Sequence, residues 1–246
     1  MNQTQREIAG LHCHVVDALP KGTKPKISTV ICHGFGAPGT DLVSLSFELL
    51  RAFPTLEESV QFVFPEAPIS MDSLGMLGGR AWWMIDVEQM MQEIEAGEFR
   101  DKRKDCPEEL KDCREKMMGL VEILMTENEL SCDRIVLGGF SQGSMLATDV
   151  ALHLQEPPAG LFVFSGSLLC EEQWRPLVKQ RGLLKVLQSH GFEDPILPYK
   201  AAEWLRDLFV ESNFDVEFVS FHGEHTIPSE ALQKLGKMLK SLTDGM

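Results

Sequence analysis

No apolar run in this 246-residue sequence approaches the roughly 20 residues a helix needs to cross a bilayer, so no integral membrane segment is expected. The opening Met1-Asn2-Gln3-Thr4-Gln5-Arg6 lacks the apolar core of a secretory signal. Residue 2 is not glycine and the chain ends Thr243-Asp244-Gly245-Met246, so myristoylation and prenylation motifs are both missing. Without a secretion signal, the sequon Asn2-Gln3-Thr4 is incidental. Positive charge is scarce: 23 Lys and Arg stand against 37 Asp and Glu, a net of −14. That balance argues against nucleic acid or an anionic membrane surface as the main partner. The six cysteines (13, 32, 106, 113, 132 and 170) show neither paired metal spacing nor the density of a disulfide framework. They are expected to be reduced, mostly structural thiols of a cytoplasmic protein. There is no internal repeat and no boundary in composition, so one domain spanning residues 1–246 is expected.

What the sequence does have is an alternation of short apolar runs and longer helical stretches. The runs are Ile27–Cys32, Gln61–Phe64, Arg134–Leu137, Leu161–Phe164, Leu183–Leu187 and Val216–Val219, with a further strand expected near His12–Asp17. Between them lie helix-length segments at Asp41–Arg51, Pro107–Asn128, Pro198–Glu211 and Pro228–Leu242, three of which begin with the proline that a first helical turn tolerates. Runs apolar throughout, rather than alternating, belong to strands buried on both faces. The pattern predicts an α/β fold with a mainly parallel sheet and helices on both faces.

Ile69 to Met84 breaks this rhythm with glycines, methionines and two tryptophans at no clean period. A long irregular loop in a compact domain is often functional. Its Met71, Leu74, Met76, Leu77, Trp82 and Trp83 supply either an adaptable apolar binding site or ordinary core beneath a loop. The charged stretch that follows, Glu88 to Lys116, reads as a solvated surface helix and loop, with an insertion expected near residues 95–113.

Chemistry concentrates at Gly139-Phe140-Ser141-Gln142-Gly143, between the run ending at Leu137 and a helical segment whose Gly143, Ala147 and Ala151 form a small-residue stripe. A serine wedged between strand and helix fits a nucleophile elbow, with flanking glycines where side chains would collide. An alkyl hydroxyl needs a histidine base, and the base needs a carboxylate to fix its tautomer. Functional side chains of a parallel sheet lie just past the carboxyl ends of its strands. Two such exits supply them: Asp194 in Ser189-His190-Gly191-Phe192-Glu193-Asp194-Pro195, and His225 in Phe221-His222-Gly223-Glu224-His225. Glu193 is the alternative acid and His222 the alternative base, while His190 is placed to hold the Asp194 loop. Asp194 is preferred because Pro195 fixes the backbone at its position.

An oxyanion formed at Ser141 would need donors, expected from the backbone N–H of Gln142 and from that of Phe35 in the loop His33-Gly34-Phe35-Gly36-Ala37-Pro38-Gly39. Gly34 to Gly39 also reads G-x-G-x-x-G after a strand, with Glu66 beyond the next one, which is the outline of a dinucleotide site. That reading, an oxidoreductase, leaves Ser141, Asp194 and His225 without a role. A third reading keeps the fold but makes the protein a non-catalytic binding module.

The chain resembles the phospholipase/carboxylesterase family of α/β-hydrolases, which includes the acyl-protein thioesterases. The resemblance rests on Cys32-His33-Gly34-Phe35-Gly36, Phe64-Pro65-Glu66-Ala67-Pro68, Arg80-Ala81-Trp82-Trp83, the pentapeptide at Ser141, His190 through Pro198, and Gly223-Glu224-His225. It implies a serine hydrolase that cleaves carboxylic esters or thioesters, of small molecules, lipids or acylated proteins, through an acyl-serine intermediate. It also implies a catalytic set of Ser141, Asp194 and His225, oxyanion donors at Phe35 and Gln142, and no metal or cofactor. The charged stretch near 95–113, Ser144 and the loop Met71–Arg80 depart from the family pattern.

Overall fold

The computed structural model describes residues 1–97 and 101–244, so residues 98–100 of the expected insertion lie outside the described residues. In chain order the strands are β1 (Asn2–Ile8), β2 (Leu11–Asp17), β3 (Ile27–Cys32), β4 (Val60–Pro65), β5 (Ile69–Ser70), β6 (Arg80–Ala81), β7 (Ile135–Phe140), β8 (Gly160–Phe164), β9 (Lys185–Gly191) and β10 (Asp215–Phe221). The helices are α1 (Val43–Ala52), α2 (Val87–Glu95), α3 (Glu109–Asn128), α4 (Gln142–His153), α5 (Glu171–Gln180), α6 (Tyr199–Glu211) and α7 (Ser229–Asp244). None of the described helices is long and apolar enough to cross a membrane.

Eight strands form one sheet in the order β1-β2-β4-β3-β7-β8-β9-β10. From β4 to β10 every neighbouring pair is parallel, whereas β2 pairs antiparallel with both β1 and β4. The alternation of side chains along fully buried strands explains their apolar composition, because each strand feeds two cores. Ile27 and Ile31 of β3 and Phe162 and Phe164 of β8 face the layer of α1 and α7, whose Leu49, Leu235 and Leu239 complete that core. Val30 and Cys32 of β3 and Leu161 and Val163 of β8 face α3, α4, α5 and α6, meeting Leu120, Leu146, Val178 and Leu205. The expected mainly parallel sheet with helices on both faces is therefore the observed one.

Strand β1, the short strands β5 and β6 and helix α5 escaped the sequence reading, whereas α2 is the surface helix expected of the charged stretch. β1 is exposed at six of its seven positions, so its polar Asn-Gln-Thr-Gln-Arg-Glu carries no burial pattern. Helix α2 buries none of its residues and is capped by Asp86, whose carboxylate accepts from Gln89 N–H.

The expectation of six reduced cysteines is corrected: Cys106 and Cys170 form a disulfide, their Cα atoms 4.8 Å apart across 64 residues of sequence. Cys13, Cys32, Cys113 and Cys132 are free and buried. The bond fastens the charged stretch to the start of α5, where the N–H groups of Cys170 and Glu171 donate to the carbonyls of Asp105 (3.0 Å) and Arg103 (2.7 Å). These are N–H groups a helix start leaves without intrahelical partners. The Arg103 guanidinium lies 3.7 Å over the Trp204 ring. Residues 101–107 are thus a solvated surface loop, five of its seven residues exposed, that is tethered to the body of the protein at Arg103, Asp105 and Cys106.

Candidate active site

Ser141 follows directly from β7 and caps the start of α4, with φ 52° and ψ −125°. That left-handed φ is costly for a residue with a side chain, and it falls on the serine, not on either flanking glycine. The glycines serve close approach instead. A side chain on Gly139 would collide with the Cys32 carbonyl, and one on Gly143 with the Cys32 and His33 carbonyls, so β7, α4 and β3 cross without intervening side chains. Ser144 Oγ donates to Ser141 O at 2.7 Å, tying the first turn of the helix to the elbow.

The exits of β9 and β10 meet beside it. His225 Nδ1 lies 2.7 Å from Asp194 Oδ2, while Asp194 Oδ1 accepts from the N–H groups of Ile196 (2.9 Å) and Leu197 (2.8 Å). His190 Nε2 lies 2.8 Å from Leu197 O and 3.2 Å from Asp194 Oδ2, so it holds the acid loop as expected. Burial works to raise the Asp194 pKa, but the hydrogen bonds from His190 and His225 and from the Leu197 N–H outweigh it. They hold the carboxyl well below its usual range. An ionised Asp194 makes His225 Nδ1 the protonated nitrogen and leaves Nε2 as the free base. Phe140 packs on the imidazole, ring centroids 4.7 Å apart.

The alternative acid and base pair with one another elsewhere. Glu193 Oε1 lies 3.0 Å from His222 Nδ1 and its Oε2 accepts from Gly223 N–H at 2.6 Å, a clamp between the two loops on the exposed surface. The His222 side chain is 88 % exposed, against 16 % for His225.

Ser141 and His225 open onto one cavity of about 470 Å³, which Gly34, Phe35 and Gln142 also line. Phe35 and Gln142 N–H groups find no backbone acceptor among the described residues, and the start of α4 adds its partial positive charge there. His33 braces the glycine loop from behind. Ala67 N–H donates to its Nε2 (3.1 Å), which places the ring proton on Nδ1, donating to Gly34 O at 2.8 Å. Burial lowers the His33 pKa, so this neutral tautomer is the stable one. Gly34, Phe35 and Ala37 of this loop therefore line the cavity beside Ser141, and any side chain at Gly39 would overlap Glu66.

Of the expected apolar site residues, only Trp83 lines this cavity. Met71 and Trp82 are core, and Leu74, Met76 and Leu77 sit on the exposed loop, Leu77 at 88 % exposure. The Met76 side chain lies over Gly36, so the loop buttresses the glycine turn. The apolar wall comes instead from Met84, Ile85, Met90, Met145, Leu169 and Leu197, with Lys102, Asp105 and Pro107 of the charged stretch at its rim. Aperiodic loop sequence carries no signal of which side chains face a cavity.

One functional contact was missed altogether. Gln142 Oε1 accepts from Trp82 N–H (2.9 Å) and its Nε2 donates to Trp83 O (2.8 Å), so the residue after the serine clamps the cavity wall to the elbow.

A model of the phospholipase/carboxylesterase family matches residues 17–243. The chain belongs to that family. It is an enzyme of the hydrolase class, on the α/β-hydrolase fold. It is similar to acyl-protein thioesterase 1 of Emericella nidulans, 29 % identical over 232 residues that cover 89 % of this chain and 92 % of that one. The acyl-protein thioesterase 1 of Mycosarcoma maydis is 26 % identical, covering 90 % of this chain and 93 % of that protein. Among solved structures, esterase PE8 superposes with a TM-score of 0.75 at 22 % identity, covering 98 % of this chain and all of that one. SOBER1 of Arabidopsis thaliana gives 0.67 at 18 %, covering 88 % and 99 %. At such identities the solved structures speak for the fold alone.

Proposed function

We propose that this family member is a single-domain serine esterase that cleaves carboxylic esters or thioesters of apolar acyl groups. In this reading Ser141 is the nucleophile, His225 the base and Asp194 the group that orients it. The observation that carries it is the 2.7 Å contact of Asp194 with His225, on a histidine that shares its cavity with the strained Ser141.

His225 Nε2 takes the Ser141 Oγ proton as the oxygen attacks the acyl carbon. The developing oxyanion is met by the Phe35 and Gln142 N–H groups, each such donor worth about 2.7–4 kcal/mol when pre-organised. Collapse expels the alcohol or thiol, which leaves with the proton from His225. Water then attacks the acyl-serine, His225 again taking the proton, and Ser141 Oγ leaves reprotonated with release of the carboxylic acid. Every step uses the chain's own groups and water.

The apolar wall favours an acyl chain over a polar one, and the charged rim of Lys102 and Asp105 favours a polar leaving portion outside it. The names of the thioesterase relatives support an S-acylated protein as the thioester candidate. A fluorophosphonate probe tests the assignment: it should label the wild type and fail on Ser141→Ala. A folded wild type that resists labelling would instead make the protein a binding module. Kinetics on a lysophospholipid, a short-chain ester and an S-acylated peptide, side by side, separate the substrate classes.

A further inference from the structure

Beside the first strands of the sheet, away from the cavity, a second set of side chains converges. His12 and His14 are two residues apart on β2, so both imidazoles project from the same face. The antiparallel register sets Cys13 against Pro65 and His14 against Phe64, which brings Glu66 opposite His12; Glu66 N–H donates to His12 O at 2.8 Å. One nitrogen from each histidine and one oxygen from Glu66 lie within 4.8 Å of one another. Glu66 Oε1 is 3.0 Å from His14 Nε2, and the two imidazoles meet edge to face with centroids 5.4 Å apart. His14 is buried, and of its two ring nitrogens Nε2 is the one that meets Glu66, so Nε2 would be its ligand atom. Arg80 Nε lies 3.8 Å from Glu66 Oε2, which leaves Oε1 for the histidine side.

We propose that His12, His14 and Glu66 form a binding site for a divalent metal ion of the zinc class. Two imidazoles and one carboxylate are the donor set such an ion takes, and they leave a fourth position to water. Tetrahedral ligands at bond lengths of about 2.1 Å stand about 3.4 Å apart. His14 and Glu66 are near that spacing, and the exposed His12 closes the third contact by rotating its side chain. Register explains why sequence spacing hides the site: the third ligand comes from a strand more than 50 residues on. None of the three residues lines the cavity at Ser141, so the ion stands apart from ester cleavage.

The test is calorimetric titration of chelator-stripped, full-length protein with zinc chloride, for the wild type, His12→Ala and Glu66→Gln. His12 is exposed, so its replacement leaves the fold intact, and circular dichroism verifies this. The wild type should show one saturable site that weakens about tenfold or more in each variant. Its thermal midpoint should rise with zinc, and that rise should be lost in His12→Ala. The proposal is overturned by a wild type that shows no saturable binding up to millimolar zinc. It is equally overturned by binding that His12→Ala leaves within tenfold of the wild type, as an ion held at the exposed Glu193–His222 pair would be.

Discussion

Asp194 Oδ2 lies 2.7 Å from His225 Nδ1, and Asp194 Oδ1 is held by two backbone N–H groups of its own loop. The carboxylate therefore has no freedom to rotate away from the imidazole. Because its pKa is depressed in the folded protein, the stability it contributes is fully present above the unfolded value of about 3.9. That contribution is lost as pH falls through the lower folded value. Urea unfolding at neutral pH and at pH 3 should show a larger gap between wild type and Asp194→Asn at neutral pH. The same substitution should lower kcat by about 10⁴, since an amide no longer enforces the Nδ1–H tautomer. An equal stability gap at both pH values would remove the linkage.

Much of this site could be read from sequence because its parts obey strong local rules. Strands β7 and β8 are buried on both faces and carry only apolar residues and glycine, β3 does so apart from Ser28 and Thr29, and β9 and β10 exit into loops bearing Asp194 and His225. β1 exposes nearly everything it carries and leaves no pattern. The disulfide joins residues 64 apart, and the His12–His14–Glu66 group depends on register. Both are set by tertiary contacts that spacing does not encode. The cavity wall is illegible in sequence for a related reason: Met71 and Met90 are equally apolar, and only the fold points one into the core and the other into the cavity.

His225 and His222 stand three residues apart but in opposite settings, one against the buried Asp194 and one on the surface with Glu193. Replacing His225 by Ala should lower turnover by about 10⁶, the loss seen when one member of a serine–histidine unit is removed. His222→Ala should stay within about threefold of wild type, as expected for a surface pair contributing little. An inactive His222→Ala enzyme beside an active His225→Ala one would reverse the assignment.

Gln142→Ala leaves the backbone N–H at the oxyanion position but strands Trp82 N–H and Trp83 O, both in a buried segment. Each unsatisfied group costs about 1–3 kcal/mol. Stability should fall by about 2–6 kcal/mol in urea titrations, and KM should rise because Trp83 lines the cavity. If kcat alone fell and stability were unchanged, the side chain would have a direct role in the chemistry.

The cavity wall of Trp83, Met90, Met145 and Leu169 sets an expectation for acyl length. Each methylene buried there should favour binding by up to about 0.8 kcal/mol, close to fourfold. Nitrophenyl esters should therefore gain kcat/KM from C2 toward C8, and Met145→Asp should flatten the series. Rates that stay level or fall with length in the wild type would place the acyl chain outside this cavity.

Thiol chemistry separates the two cysteine classes. Burial pushes the Cys13 and Cys113 thiols up to about 12 and raises those of Cys32 and Cys132 as well, so all four are protonated at pH 8. Since the thiolate is the nucleophile, iodoacetamide should leave the folded protein unmodified. Unfolding without reductant should expose the four free thiols, and unfolding with reductant all six cysteines. Intact mass counts the carbamidomethyl groups directly. Six modifications without reductant would mean that Cys106 and Cys170 are not joined, and rapid labelling of the folded chain would mean that a thiol is far less buried than the core packing requires.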